Sequence, residues 1–199
     1  MPEVERRNLR KLNPVPMPDH VFISYSHDSE EHQQNVLSLA DRLRDEGIDC
    51  IIDQYEESPS EGWVRWAINQ IEEAEFVLVV CTEQYSQLFA GKVETVERQA
   101  ANWQGAIIAQ SIYDSQVNST KFIPVAFSAQ DAAHIPVILR GATAYVIDTA
   151  TGYEQLYRRL TNQFATPMPA LGAIQQLPRR DRSNPSHNEP YRPYSRSTS

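Results

Sequence analysis

Six consecutive apolar residues, Phe76 to Cys81 (FVLVVC), constrain the fold more than any other feature of this chain. The run is too short to cross a bilayer. It does not alternate, so both faces of the strand it predicts must be covered, as in the centre of a parallel sheet. Further strand-like runs stand on either side: His20 to Tyr25, Ile48 to Asp53, Lys121 to Phe127 and Ala144 to Ile147. Pro124 inside the third of these lacks a backbone N–H, which predicts an edge position or a bulge.

Helical periodicity fills the gaps. Val36, Leu39, Ala40 and Leu43 share one helix face, and Ser26 to Ser29 supply candidate N-caps. Gly47 is placed to stop that helix. Trp63, Val64, Ala67, Ile68 and Ile71 mark a second helix with Ser60 as its expected cap, and Thr82 to Lys92 reads as a loop. Val93 to Tyr113 reads as a long helix with Val96, Ala100, Trp103 and Ile107 in phase; Tyr153, Leu156, Tyr157, Leu160 and Phe164 mark the last. The alternation predicts an α/β fold: an open, parallel, five-stranded sheet with helices on both faces and right-handed crossovers.

The rest of the chain bounds the function. Residues 1–19 read as a flexible leader, with Pro14, Pro16 and Pro18 close together and no apolar segment of a signal peptide. Residues 20–165 form the expected domain. Residues 166–199 are rich in Pro, Arg and Ser and read as a disordered tail or linker that cannot bury enough surface to offset its ordering entropy. The tail has five arginines against Asp181 and Glu189, a net +3; with −8 on the whole chain, the rest carries −11. That balance argues against direct nucleic-acid binding. The cysteines, Cys50 and Cys81, each lie in an apolar run and read as buried thiols. With no membrane span or metal-ligand cluster in view, the expectation is a soluble, cytoplasmic protein.

In an open α/β sheet, ligands bind beyond the carboxyl ends of the strands, where strand order reverses. The candidate site is therefore lined by Ser24 to Asp28, Asp53 to Glu57 and Thr82 to Tyr85. The first loop feeds a helix N-terminus, where a phosphate would meet Ser26, Ser29 and backbone amides. Neither GxGxxG nor GxxxxGK[ST] occurs, which speaks against a dehydrogenase-type or P-loop site. A phosphate-binding receiver would need carboxylates where Ile23-Ser24-Tyr25 stands.

Val21 to Asp28 (VFISYSHD) resembles the first-strand box of TIR and SEFIR domains. Leu43 to Asp53, Trp63 to Cys81, Tyr85, Trp103-Gln104-Gly105 with Ile107-Ile108, Phe122 to Val125, and Ile135-Pro136 through Arg140-Gly141 follow in the matching order. The resemblance covers about residues 20–165. It implies a flavodoxin-like sheet and one of two activities. One is self-association and partner recruitment, often beside a fused or separate sensor domain. The other is cleavage of the nicotinamide–ribose bond of NAD⁺, which is then a substrate and not a cofactor, in an assembled anti-phage effector.

The resemblance places the catalytic glutamate of such enzymes at position 104, where this chain has Gln104. A carboxylate there would stabilise an oxocarbenium-like ribosyl cation, and glutamine keeps the size and hydrogen bonding without the charge. Three readings stay open: a Glu→Gln exchange that traps an active enzyme, a natural loss of catalysis, or an acid supplied by Glu94 or Glu97. Ser24, Tyr25, Ser26, His27, Asp53, Tyr55 and Trp103 are candidate substrate contacts. Each has an ordinary structural role as the alternative: capping, a solvated loop, a turn or core packing. The loop holding Gln54, Glu56, Glu57 and Pro59 corresponds to the one through which the family self-associates, and head-to-tail packing of copies would propagate into an oligomer.

Overall fold

The computed structural model describes residues 20–89, 107, 108, 110, 120–166 and 168–177. The chain divides into two compact units, Met1–Ala165 and Thr166–Ser199. In the second unit, residues 168–177 hold no regular secondary structure, and Met168, Leu171, Ile174 and Leu177 are exposed.

The first unit contains five parallel strands in the order β2-β1-β3-β4-β5. They are β1 (Val21–Ser24), β2 (Cys50–Ile51), β3 (Phe76–Val80), β4 (Phe122–Ala126) and β5 (Tyr145–Val146). Among the described residues the helices are α1 (Glu30–Asp45), α2 (Trp63–Glu73), α3 (Glu83–Phe89) and α4 (Ala150–Leu160), with 3₁₀ turns at Asp53–Tyr55, Asp131–His134 and Val137–Leu139. All five residues of β3 are buried, as its unbroken apolar run requires. Its side chains alternate between two cores. Leu78 and Val80 join Val21, Ile23, Val36, Leu39, Leu43, Leu156 and Leu160 on one face, while Val77 and Val79 join Phe22, Trp66, Ile71, Tyr85, Ile108 and Leu139 on the other. Each large aliphatic side chain so buried contributes about 1.5–3 kcal/mol.

The start and stop signals of α1 act as the sequence implies. Ser29 is the N-cap, its Oγ accepting from His32 N–H at 3.1 Å. At the other end Gly47 takes φ +93°, Gly47 N–H reaches Arg44 O and Ile48 N–H reaches Leu43 O. That pair of bonds is the Schellman arrangement, which glycine enters without a Cβ penalty.

Several expectations are corrected. Helix α2 starts from Gly62 at φ +83°, not from Ser60, whose hydroxyl bonds Glu61 instead. Trp66 is the buried aromatic of α2, and Trp63, placed on the packed face by periodicity, is 42% exposed and rests edge-on against it. The second strand is only Cys50–Ile51, because Asp53 already begins a 3₁₀ turn. The segment after β3 is not a loop throughout: Thr82 starts α3, its Oγ1 accepting from Tyr85 N–H. Phe164 lies beyond α4, which ends before Asn162 turns to φ +55°.

Pro124 sits in β4, an interior strand, and not at an edge. Lys121 O and Val125 O accept from β3, so the alternating backbone points Pro124's nitrogen away from β3. Pairing with β5 begins one residue later, at Val125 opposite Tyr145, so no ladder bond is lost. The predicted helix Val93–Tyr113 lies mostly outside the described residues; of it, residues 107, 108 and 110 are helical, and Ile108 is fully buried.

Candidate functional site

The chain leaves β1 through α1 to reach β2, and returns from β2 through α2 to reach β3 on the other side of β1. Helix α1 packs on one core and α2 on the opposite one. The two connections therefore part at the carboxyl ends of β1 and β3, which opens a crevice there. An open cleft of about 530 Å³ occupies this place. It is lined by Asp28 and Ser29 from the β1–α1 turn, by His32 in the first turn of α1, by Thr82 after β3, by Glu83, Gln84 and Gln87 of α3, and by Asp131 after β4.

Behind the cleft the ends of β1 and β3 are joined by buried hydroxyls. Ser24 bonds the phenol of Tyr85, and Ser26 Oγ lies 3.1 Å from Thr82 Oγ1. The candidate contacts Ser24 and Ser26 are thus fully buried and already engaged, and Ser29 is occupied as the cap of α1. The hydroxyls expected to meet a phosphate are committed elsewhere, and the cleft presents Asp28, Glu83 and Asp131 instead.

Tyr25, His27, Asp53 and Gln54 form one network beside it. Asp53 accepts from Tyr25 Oη–H at 2.7 Å and lies 2.7 Å from His27 Nε2, one carboxylate oxygen to each. Gln54 Nε2 donates to Tyr25 Oη at 2.8 Å and to Gln33 O at 3.0 Å. This network fixes the turn after β2 against the turn after β1. Burial and then the Asp53 charge hold the Tyr25 phenol far above its usual range. The Asp53 bond raises the His27 imidazole above its ordinary 6.5, against an opposing effect of burial. Tyr55 turns away, its hydroxyl on Asp41 of α1. In the proposed association loop, Glu56 accepts from Ser58 N–H and Pro59 O accepts from Gly62 N–H, while Gln54 and Glu57 are exposed. Trp103, Gln104 and Glu97 lie outside the described residues.

The His27–Asp53 pair gives a pH-dependent contribution of known sign. A histidine raised on folding adds stability that is complete below its unfolded value of 6.5 and is lost as pH rises through the folded value. The melting temperature of the native chain should therefore exceed that of His27→Gln most at about pH 6, with the gap closing by about pH 8. A gap that widens with pH would exclude this assignment.

His32, Gln87 and Asp131 were not anticipated from the sequence. His32 packs between the rings of Tyr25 and Phe127, at centroid distances of 6.0 and 5.9 Å. Burial lowers its imidazole below the usual value, offset in part by Asp28 and Asp131. Asp131 is set by Ser128, which donates to its carboxylate at 2.7 Å. Extending the strand-end rule to β4 would have found Asp131, and the i+3 position from Ser29 would have found His32. Among the described residues, Asp28 Oδ1 and His32 Nε2 are the buried side-chain atoms with no hydrogen-bond partner.

Cys50 and Cys81 are free, buried thiols, both pushed up to about 12 by burial. Among the described residues no group of His, Cys, Asp and Glu is arranged to hold a metal ion, and no helix is long and apolar enough to cross a membrane.

A SEFIR domain profile matches residues 19–160. Among solved structures, a prokaryotic SEFIR domain is 27% identical with a TM-score of 0.57, over 77% of this chain and 99% of that one. The TIR domain of the Toll-related receptor TRR-2 from Hydra magnipapillata is 16% identical (TM-score 0.48; 70% of this chain, 96% of that one). The SEFIR domain of IL-17 receptor B is 13% identical (TM-score 0.43; 71% and 96%). No curated protein sequence matches the chain. The profile spans well over half of the sequence and the order β2-β1-β3-β4-β5 is that of a flavodoxin-like sheet; the chain belongs to the SEFIR domain family.

Proposed function

We propose that this SEFIR domain associates with copies of itself and belongs to the branch that cleaves NAD⁺ between nicotinamide and ribose, with Gln104 holding the reaction at a low level. The observation that supports it is the acidic cleft at the switch point, where Asp28, Glu83 and Asp131 face a space of about 530 Å³. Carboxylates of this kind favour a substrate end that is cationic or becomes so, as ribose does when nicotinamide departs. His27, Asp53 and Tyr25 keep the two flanking turns in place. In this reading the family's acid at position 104 supplies the charge that the oxocarbenium ion needs, and glutamine lacks it.

Nicotinamide release from NAD⁺ by the purified chain tests it. Gln104→Glu is expected to raise the rate on the order of 10²-fold. Activity with Gln104 in place that disappears in Glu97→Ala would move the acid to Glu97. A second reading draws on the same glutamine: a domain with no carboxylate at that position acts purely by association, as an adaptor. Self-association without nicotinamide release from either the native chain or Gln104→Glu establishes the adaptor.

A further inference from the structure

Two ties hold the start of the segment that follows β2. Tyr55 is bonded to Asp41 of α1, and Asp53 is bonded to the turn after β1, one oxygen to Tyr25 Oη–H and the other to His27, each at 2.7 Å. Further on, the described hydrogen bonds of residues 56–61 stay within the segment, reach Gly62 or return to Asp53 O. The order of these residues therefore depends on how firmly its start is held. Of the two ties, only the second contains a group that titrates near neutral pH. That group is also the one water reaches: the His27 side chain is 47% exposed, against 13% for Asp53.

We propose that the His27–Asp53 pair is a proton-operated latch on the segment Gln54–Glu61: with a proton on His27 the segment is held in order and set for association, and without it the segment loosens. This rests on the reading of that segment as an association surface. A protonated imidazole gives Asp53 a charged partner. A neutral one gives only a hydrogen bond, and only in the tautomer with its proton on Nε2, so the latch weakens without vanishing. Asp53 from the 3₁₀ turn and Asp28 from the β1–α1 turn both favour the charged ring; His32 of α1 opposes it when charged, and the Tyr25 ring lies 5.1 Å away. Because the imidazole is raised on folding, the charged pair is complete below the ordinary 6.5 and is lost as pH climbs through the folded value. A segment already in order meets its partner with less entropy left to lose.

Hydrogen–deuterium exchange of the full chain at about pH 6 and about pH 8, corrected for the intrinsic effect of pH, tests the latch at the Tyr55 and Glu56 amides, which bond Ile52 O and Asp53 O. Protection there is expected to be at least about threefold higher at the lower pH, and the difference to disappear in His27→Gln, which keeps a donor but does not titrate. His20 and His32 remain in that variant, so a pH dependence of their making persists in it. Sedimentation of the same samples reads association. The association constant of the native chain should rise on acidification at least about threefold more than that of His27→Gln, because the easing of self-repulsion in a chain of net charge −8 acts on both alike. Equal protection at the two pH values, or a difference that survives in His27→Gln, overturns the latch. Protection that follows His27 in a chain that stays monomeric keeps the latch and removes the association reading. Association with the same pH response in both proteins keeps that reading and overturns the latch's hold on it.

Discussion

Gly152→Ala is expected to destabilise the domain by at least about 3 kcal/mol, a shift of more than 10²-fold in the folding equilibrium. Glycine to alanine inside a helix ordinarily stabilises by about 1 kcal/mol, because alanine has the better helix propensity. Here that gain is overwhelmed. A Cβ on Gly152 would lie 1.9 Å from Val146 O and 3.0 Å from the Val146 carbonyl carbon. Both atoms are backbone at the end of β5, and Gly152 N–H is held by the cap Thr149 at 3.1 Å, so neither side yields by a rotamer change. Relief requires α4 to lift from β5, which withdraws Tyr153, Leu156 and Leu160 from the core they share with Leu78. Urea denaturation measures the loss. Gly141→Ala, which meets nothing within 4 Å, is the control and should be near neutral. Equal stabilities for the two variants would show that α4 stands off the sheet.

Tyr85→Ala should cost about 3–5 kcal/mol, as for other large aromatic truncations. The ring is fully buried, meets Phe89 edge-on at 5.2 Å and carries a hydroxyl bonded to Ser24. Its position in the first turn of α3 couples that helix to the ends of β1 and β3. Tyr85→Phe separates the two contributions: it keeps the packing and removes only the hydroxyl bond, a loss of about 1–2 kcal/mol. Thermal or urea unfolding of both variants checks the difference. A Phe variant as unstable as the Ala variant would place the value of this residue in its polar link and not in its packing.

The parallel sheet was legible because its signal is local. Phe76 to Cys81 cannot be half-exposed, and Val36, Leu39, Ala40 and Leu43 have one helical phase; these residues lie where that reading puts them. Errors arose where the outcome depends on a neighbour. Ser60 has the chemistry of a cap, but the chain needs the positive φ that Gly62 supplies. Pro124 lacks a donor, yet the cost vanishes because β5 begins one residue beyond it. Thr82 caps a helix that its polar successors disguise as a loop. The site was partly legible for the same reason. The strand-end rule found Asp28 and Thr82 to Gln84, while His32 and Asp131 join the cleft through the packing of α1 and the turn after β4.

Both outer strands of the sheet are two residues long, Cys50–Ile51 and Tyr145–Val146. A rim this short exposes too few backbone donors and acceptors to template a further strand from another molecule. Copies of the domain that join must therefore meet through helices, turns and side chains. Growth by adding strands, a route towards amyloid, finds little template at either margin of the described sheet.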